Sequence, residues 1–289
     1  MKSFFKLLKH NWIYLLWFCI YLFIGWLVID AFTENSFQSF FIALTIYILS
    51  IMLALSPAGE TILRVLQKAN PVATQKDREY LLPLFQEVYE QSRQSTPELR
   101  KDIRLYIIES MVINAFAAGK RTIAVTRGAV EALDREQLKG ILAHEFGHMA
   151  HNDTRALIIN LVGNGFFSLI LFALRICMNI IQLILTIIQG KNVVFFVFSI
   201  IAWIIRILVE LFTFVFIILG NILLSINSRI NEYNADRYAF EIGYGEQLIA
   251  SLYLLKQVSL PPNMTLMERV TASHPNIDNR IKRLEQMIG

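Results

Sequence analysis

Two charge-free stretches near the start of the chain constrain it most. Residues 11–29 and 35–59 run for 19 and 25 residues without an Asp, Glu, Lys or Arg, and they contain WIYLLWFCIYLFIGWLVI and FFIALTIYILSIMLAL. A hydrocarbon core of about 30 Å is crossed by roughly 20 helical residues, so each run is long enough to span one. The opening MKSFFKLLKH followed by an apolar run resembles a signal peptide. The run is longer than a typical signal core, however, and no small-residue cleavage site follows it, so it is read as a retained anchor. A second apolar block covers 156–226 and carries only Arg175, Lys191, Arg206 and Glu210 as charges. Gly190-Lys191-Asn192 is its best turn, which predicts a helical hairpin and four spans in all. Arg175 lies 16 residues before Lys191 and Arg206 lies 15 after it. The two should therefore sit at similar depth, with Glu210 one turn past Arg206 and able to pair with either.

Composition agrees with this reading. Hydrophobic residues make up 55% and charged residues 17% of the chain, where a soluble domain carries about 25% charged residues. That excludes disorder and a purely soluble protein. Cys19 and Cys177 both fall in apolar runs, which predicts free, buried thiols and no disulfide framework. The Lys and Arg residues are placed asymmetrically. The first ten residues hold three, 57–155 hold 14 and 227–289 hold seven, which is 24 of the 27 in the chain. The loop from Asp30 to Ser36 has two acids and no base. By the positive-inside rule, both termini and both polar segments face the cytoplasm. The basic balance is thus a topology signal, and no nucleic-acid partner is expected.

The expected organisation is two transmembrane helices in 1–56, a first domain piece in 57–155, a transmembrane hairpin in 156–226 and a second domain piece in 227–289. Thr74 to Gln94 has helical spacing. Arg104–Ile113 and Thr122–Thr126 are β-rich runs, read as a hairpin joined through NAFAAGK. Asp134 followed by Gln137 is a capping-box start for a helix that runs past His148.

That helix carries AHEFGHMAH, with H-E-x-x-H at His144, Glu145 and His148. At about 100° per residue, the two histidines lie roughly 40° apart and one turn apart, so both imidazoles can close on one zinc ion while Glu145 faces its water. Zinc lowers the pKa of that water from about 15.7 to about 7, and Glu145 can take the proton and return it to a leaving amine. A third protein ligand is needed. His151 shares the face but sits roughly 10 Å along the axis from His144. Glu232, in RINEYNADRYAF, is the better candidate, because Asp236 one turn later can hold the second nitrogen of a zinc histidine.

The stretches INAFAAGKRTIAVTRGAVEALDREQLKGILAHEFGHMAHND, RINEYNADRYAFEIG and ASHPNIDNRIKRLEQM together resemble the HtpX-like membrane zinc metallopeptidases. These belong to the larger gluzincin group that includes the CAAX prenyl proteases. The resemblance implies a cytosolic α+β zincin-type domain, which together with the four transmembrane helices read from the apolar runs makes a mainly α integral membrane protein. In that domain a small sheet lies beside the H-E-x-x-H helix. It implies one zinc ion on His144, His148 and Glu232, with Glu145 as base. Asn114 matches a family residue at the end of the strand beside the metal, where an edge strand could bind an extended substrate; the plain alternative is a turn residue before Gly119. His274 and Arg280 match a motif that folds back to the site as oxyanion donors; the alternatives are a helix-entry turn at His274 and an acid partner for Arg280.

The function expected is a zinc endopeptidase of the bacterial cytoplasmic membrane. It would cut membrane or membrane-proximal proteins on the cytoplasmic side, and the family implies a quality-control role. The rival readings are a dedicated processing protease with few substrates, a metal-binding membrane transporter and a proteolytically silent scaffold. Glu145 separates a hydrolase from the transporter, because metal storage needs ligands but no additional carboxylate, and the intact three-ligand set argues against the scaffold.

Overall fold

A computed structural model describes residues 12–31, 33–158, 165–189, 193–258 and 276–289. Helices α1 (Trp12–Asp30) and α2 (Ser36–Leu55) come first. Asn35 starts α2 by accepting from the backbone N–H groups of Phe37 and Gln38 at 3.0 and 3.2 Å. Pro57 cannot continue α2, and a new helix, α3 (Pro57–Leu66), begins there with Ser56 as its cap. Helix α3 buries Gly59, Glu60 and Leu63 and exposes Ile62, Val65 and Leu66. After the two-residue strand β1 (Asn70–Pro71) comes α4 (Gln75–Ser95), capped by Thr74.

Three further strands follow: β2 (Arg104–Ile108), β3 (Ala115–Ala118) and β4 (Thr122–Thr126). The sheet order is β1-β2-β4-β3. This corrects the predicted hairpin. Strands β2 and β4 are parallel, with Arg104 opposite Thr122, and the supposed connector NAFAAGK supplies a strand of its own. That strand, β3, pairs antiparallel with β4, Ala115 opposite Val125. The reversal falls inside the connector because Gly119 adopts φ 61°, a left-handed conformation that glycine takes without a Cβ clash. Strand β4 is buried along its whole length, whereas β3 forms an edge.

The remaining helices are α5 (Arg127–Ala132), α6 (Arg135–His151), α7 (Asp153–Ile158), α8 (Gly165–Gln189), α9 (Val193–Glu241), α10 (Gly245–Val258) and α11 (Ile277–Ile288). The capping box at α6 is complete: Asp134 accepts from Gln137 N at 2.8 Å, and the Gln137 side chain accepts from Asp134 N at 3.0 Å. One core joins the two polar segments. Leu81, Leu84 and Val88 of α4, Ile123 and Val125 of β4, and Leu138, Leu142 and Phe146 of α6 pack with Tyr238, Leu248, Leu252, Ile281 and Leu284 from the C-terminal part.

Helix α9 is 49 residues long, roughly 74 Å at about 1.5 Å per residue. It carries the second half of the apolar block and continues without interruption into the polar segment that holds Glu232. Among the described residues, one helix, Ser36–Leu55, is long and apolar enough to cross a membrane, with mean hydropathy 2.1. Large apolar side chains such as Phe37, Leu49 and Met52 on α2, and Ile187, Trp203, Leu208 and Phe214 on α8 and α9, are exposed. The same surface accounts for a second correction: Cys19 and Cys177 are free but exposed, because they lie on outward faces of apolar helices and not between them.

Gln182 of α8 donates to Ser199 of α9 at 3.1 Å. That contact joins residues nine before and eight after Lys191, the register in which Arg175 and Arg206 are expected at similar depth. Arg206 pairs with Glu210 at 3.1 Å. Gly190, Lys191 and Asn192, the predicted turn, lie outside the described residues.

Candidate metal centre

Helix α6 presents His144 and His148 one turn apart, and α9 brings Glu232 across from them. The close approach of the two helices depends on Gly147, where a Cβ would lie 2.8 Å from Ala235 Cα. Across the junction, His144 Nε2 is 3.2 Å from His148 Nε2, and the two nitrogens are 3.4 and 3.5 Å from the Glu232 carboxylate oxygens. Zinc binds nitrogen and oxygen at about 2.0–2.2 Å, so neighbouring donors of a tetrahedral site are roughly 3.3–3.5 Å apart. One ligand atom from each of the three residues lies within 4.8 Å of the others, a group that could hold such an ion.

The orientation of the rings supports the same conclusion. His144 Nδ1 lies 2.9 Å from Asp236 Oδ1, and His148 Nδ1 lies 3.2 Å from Asp153 Oδ2. With each Nδ1 turned to a carboxylate, both Nε2 atoms face a common centre, the orientation in which a histidine ligates a metal. Burial and the nearby Arg280 oppose protonation of His144, yet Asp236 and Glu232 hold it above the ordinary imidazole range. For His148 burial is outweighed in the same way by Asp153 and Glu232. The pocket is rich in negative charge around two imidazoles.

Asp153 was not singled out from the sequence. Its signal is weak: it follows Asn152, whose φ of 64° ends α6 and turns the chain back toward His148. Arg280 reaches the site from α11. Its Nε and Nη2 fork onto Asp236 at 2.8 and 2.6 Å, and its Nη1 lies 3.0 Å from Glu232. Arg280 as a whole is only 7% exposed. Burial resists the charge on Asp236, but Arg280 and His144 keep its pKa below the usual carboxylate range.

Glu145 is 6% exposed and close enough to act electrostatically on both His148 and Arg280. His151 lies apart from the metal group: its Nδ1 is 2.9 Å from the Gly147 carbonyl and its ring abuts Tyr238. Asn114 is exposed at the head of β3. Its backbone N–H donates to Thr126 Oγ1 at 2.9 Å, its carbonyl accepts from Thr126 N at 3.0 Å, and its side-chain oxygen accepts from Ala115 N at 2.9 Å. His274 lies outside the described residues.

Two imidazoles of one helix and a carboxylate of a second thus form a group that could hold a metal ion, with the buried Glu145 beside them. The sequence profile of Peptidase family M48 matches residues 76–288, and the chain belongs to that family. It is 29% identical over 198 residues to Protease HtpX of Shewanella oneidensis, an alignment covering 62% of this chain and 66% of that protein. Protease HtpX of Shewanella pealeana is 28% identical over 197 residues, covering 62% and 65%. The chain thus spans just under two thirds of the length of these curated relatives. The crystal structure of S. mikatae Ste24p superposes with a TM-score of 0.54 at 18% identity, covering 98% of this chain and 65% of that one, which shows a shared fold.

Proposed function

We propose that this protein is a zinc endopeptidase of the bacterial cytoplasmic membrane that hydrolyses membrane or membrane-proximal proteins at the cytoplasmic face, in the quality control of membrane proteins. The observation that carries the reading is Glu145: a buried carboxylate, outside the ligand set, next to two imidazoles whose Nε2 atoms converge. Metal storage has no use for it. His144, His148 and Glu232 would hold the ion, with Asp236 and Asp153 keeping the rings in the ligating tautomer. Zinc, when bound, supplies a Lewis acid that polarises the scissile carbonyl and acidifies water. Glu145 takes the proton from the attacking water and delivers it to the leaving amine.

Strand β3 provides the substrate edge. Because Asn114 and Thr126 exchange backbone-directed bonds, the alternation of an antiparallel ladder turns the Ala115 carbonyl and the N–H and C=O groups of Ala117 away from β4, while the Ala115 N–H on that side donates to Asn114 Oδ1. An extended polypeptide can add there as a further strand. Asn114, at its head, would guide that strand in. Arg280 and His274 would serve the oxyanion side, Arg280 from its place between Asp236 and Glu232. The four apolar helices are assigned to the bilayer, supported by their exposed apolar side chains, with the two polar segments assembled into one cytoplasmic domain on the side that holds 24 of 27 Lys and Arg.

The test is zinc analysis together with digestion of a co-expressed membrane protein, wild type against Glu145→Gln. The substitution should cut hydrolysis about a thousandfold with zinc retained. Near wild-type turnover in a zinc-loaded Glu145→Gln preparation refutes the mechanism.

A further inference from the structure

Outside the metal centre, one peptide group is held from both sides. The peptide joining Gly119 to Lys120 lies in the turn between β3 and β4. Its carbonyl accepts from Thr154 Oγ1 at 2.6 Å, and its N–H donates to Glu60 Oε1 at 2.7 Å. Thr154 and Glu60 are 3% and 8% exposed. Apolar residues from the same region (Ala54, Leu63, Ala118 and Ile158) form a small cluster of their own. A charge-assisted bond removed from water is short and strong. Gly119 suits the arrangement doubly: φ is 61°, and a Cβ there would collide with the Glu60 carboxylate. Arg64, one turn past Glu60, adds a second tie to the same end of the hairpin through Thr122 Oγ1 at 3.0 Å.

These contacts connect three parts of the molecule. Glu60 belongs to α3, which starts directly after the apolar helix α2. Thr154 follows Asp153, whose carboxylate holds His148. Between them stands the end of β3. Continuing the alternation along this edge, Gly119 would offer the next outward carbonyl after Ala117, and Thr154 already occupies it. Pairing along this edge therefore ends before Gly119, and Ala117 is itself only 4% exposed.

We propose that Glu60 and Thr154 are positioning residues that clamp the Gly119–Lys120 peptide and so fix the substrate-pairing edge of β3 against the metal ligands. The inference rests on the peptidase reading above and sharpens its substrate class. The clamp matters for a polypeptide long enough to pair along β3, and not for a short peptide that reaches the metal alone.

The experiment uses the full chain in detergent, zinc-loaded and carrying Glu145→Gln so that bound peptide persists. Binding is measured for a fluorescent apolar peptide of about ten residues, which spans roughly 33 Å when extended, and for a capped tripeptide. Thr154→Val keeps the shape and removes the donor. It should weaken binding of the long peptide about fivefold to tenfold and leave the tripeptide within twofold. Thr154→Ser should restore binding, and Glu60→Leu should reproduce the loss. Hydrogen exchange over 115–122 should quicken in Thr154→Val and Glu60→Leu, while zinc content stays at the parent value. Unchanged binding of the long peptide with faster exchange overturns the proposal, as does an equal loss for both peptides. Hydrolysis of the long peptide by the protein with Glu145 intact is scored separately, and its absence refutes the peptidase reading instead.

Discussion

Replacing Arg280 tests how the buried charges of the site balance one another. Arg280 is 7% exposed and forks onto Asp236 at 2.8 and 2.6 Å while lying 3.0 Å from Glu232. Arg280→Met keeps the bulk of the stem and leaves two buried carboxylates without their cation. Breaking a buried pair by removing one partner costs about 3–5 kcal/mol. For a domain of this size, at roughly 2–4 °C per kcal/mol, the metal-stripped protein should melt about 6–20 °C lower. The zinc-loaded protein should lose less, because the ion offsets the charge of Glu232 directly. Arg280→Lys should recover only part of the loss, since an ammonium cannot make the planar two-point contact with Asp236. The assay is thermal unfolding in detergent followed by circular dichroism, with and without zinc. A drop below about 2 °C in the stripped protein, or equal drops in both states, would refute the reasoning.

Glu232→Ala should lose zinc and activity together, whereas His151→Ala should keep both within severalfold, as read by zinc content after dialysis against a weak chelator. In the same assay Asp153→Asn should weaken zinc binding about 10–100-fold, because it releases the Nδ1 side of His148. Arg127 holds Asp77 at 2.7 Å and pulls its carboxyl from 3.8 to about 2. The folded value is the lower one, so this stabilisation is complete above about pH 4 and is lost as pH falls through about 2. Arg127→Met should flatten the acid limb of a stability profile in that window; an unchanged limb would discount the pair. On a background lacking Cys19 and Cys177, a cysteine at Glu34 should react with an impermeant label from outside intact cells and one at Gln94 should not. Labelling of Gln94→Cys from outside would invert the topology.

Local features of the fold could be read from the chain because they depend on residues close in sequence. The capping box of Asp134 and Gln137, the start of α4 at Thr74 and the one-turn spacing of His144 and His148 each involve a single helix end or face. The contact of Asp236 with His144 belongs to the same kind, since the four-residue step from Glu232 puts both acids on one side of α9. The β hairpin was misplaced because the three alanines of AFAA carry little strand signal. What makes β3 a strand is its ladder with β4, a partner that spacing alone cannot name.

Apolar length and charge-free runs determine, without reference to tertiary structure, that the chain has surfaces suited to lipid. Helical periodicity determines that the imidazoles of His144 and His148 share one face of a helix. Folding decided what surrounds them. Helix α9 delivers Glu232 to α6 because Gly147 lets the helices touch, and α11 inserts Arg280 between two acids from a place 44 residues beyond Asp236. Asp153 and Thr154 acquire their partners only when α7 folds back onto His148 and the β3–β4 turn. The outward faces of Cys19 and Cys177 were likewise settled by packing, since an all-apolar helix has no sequence pattern to say which side turns inward.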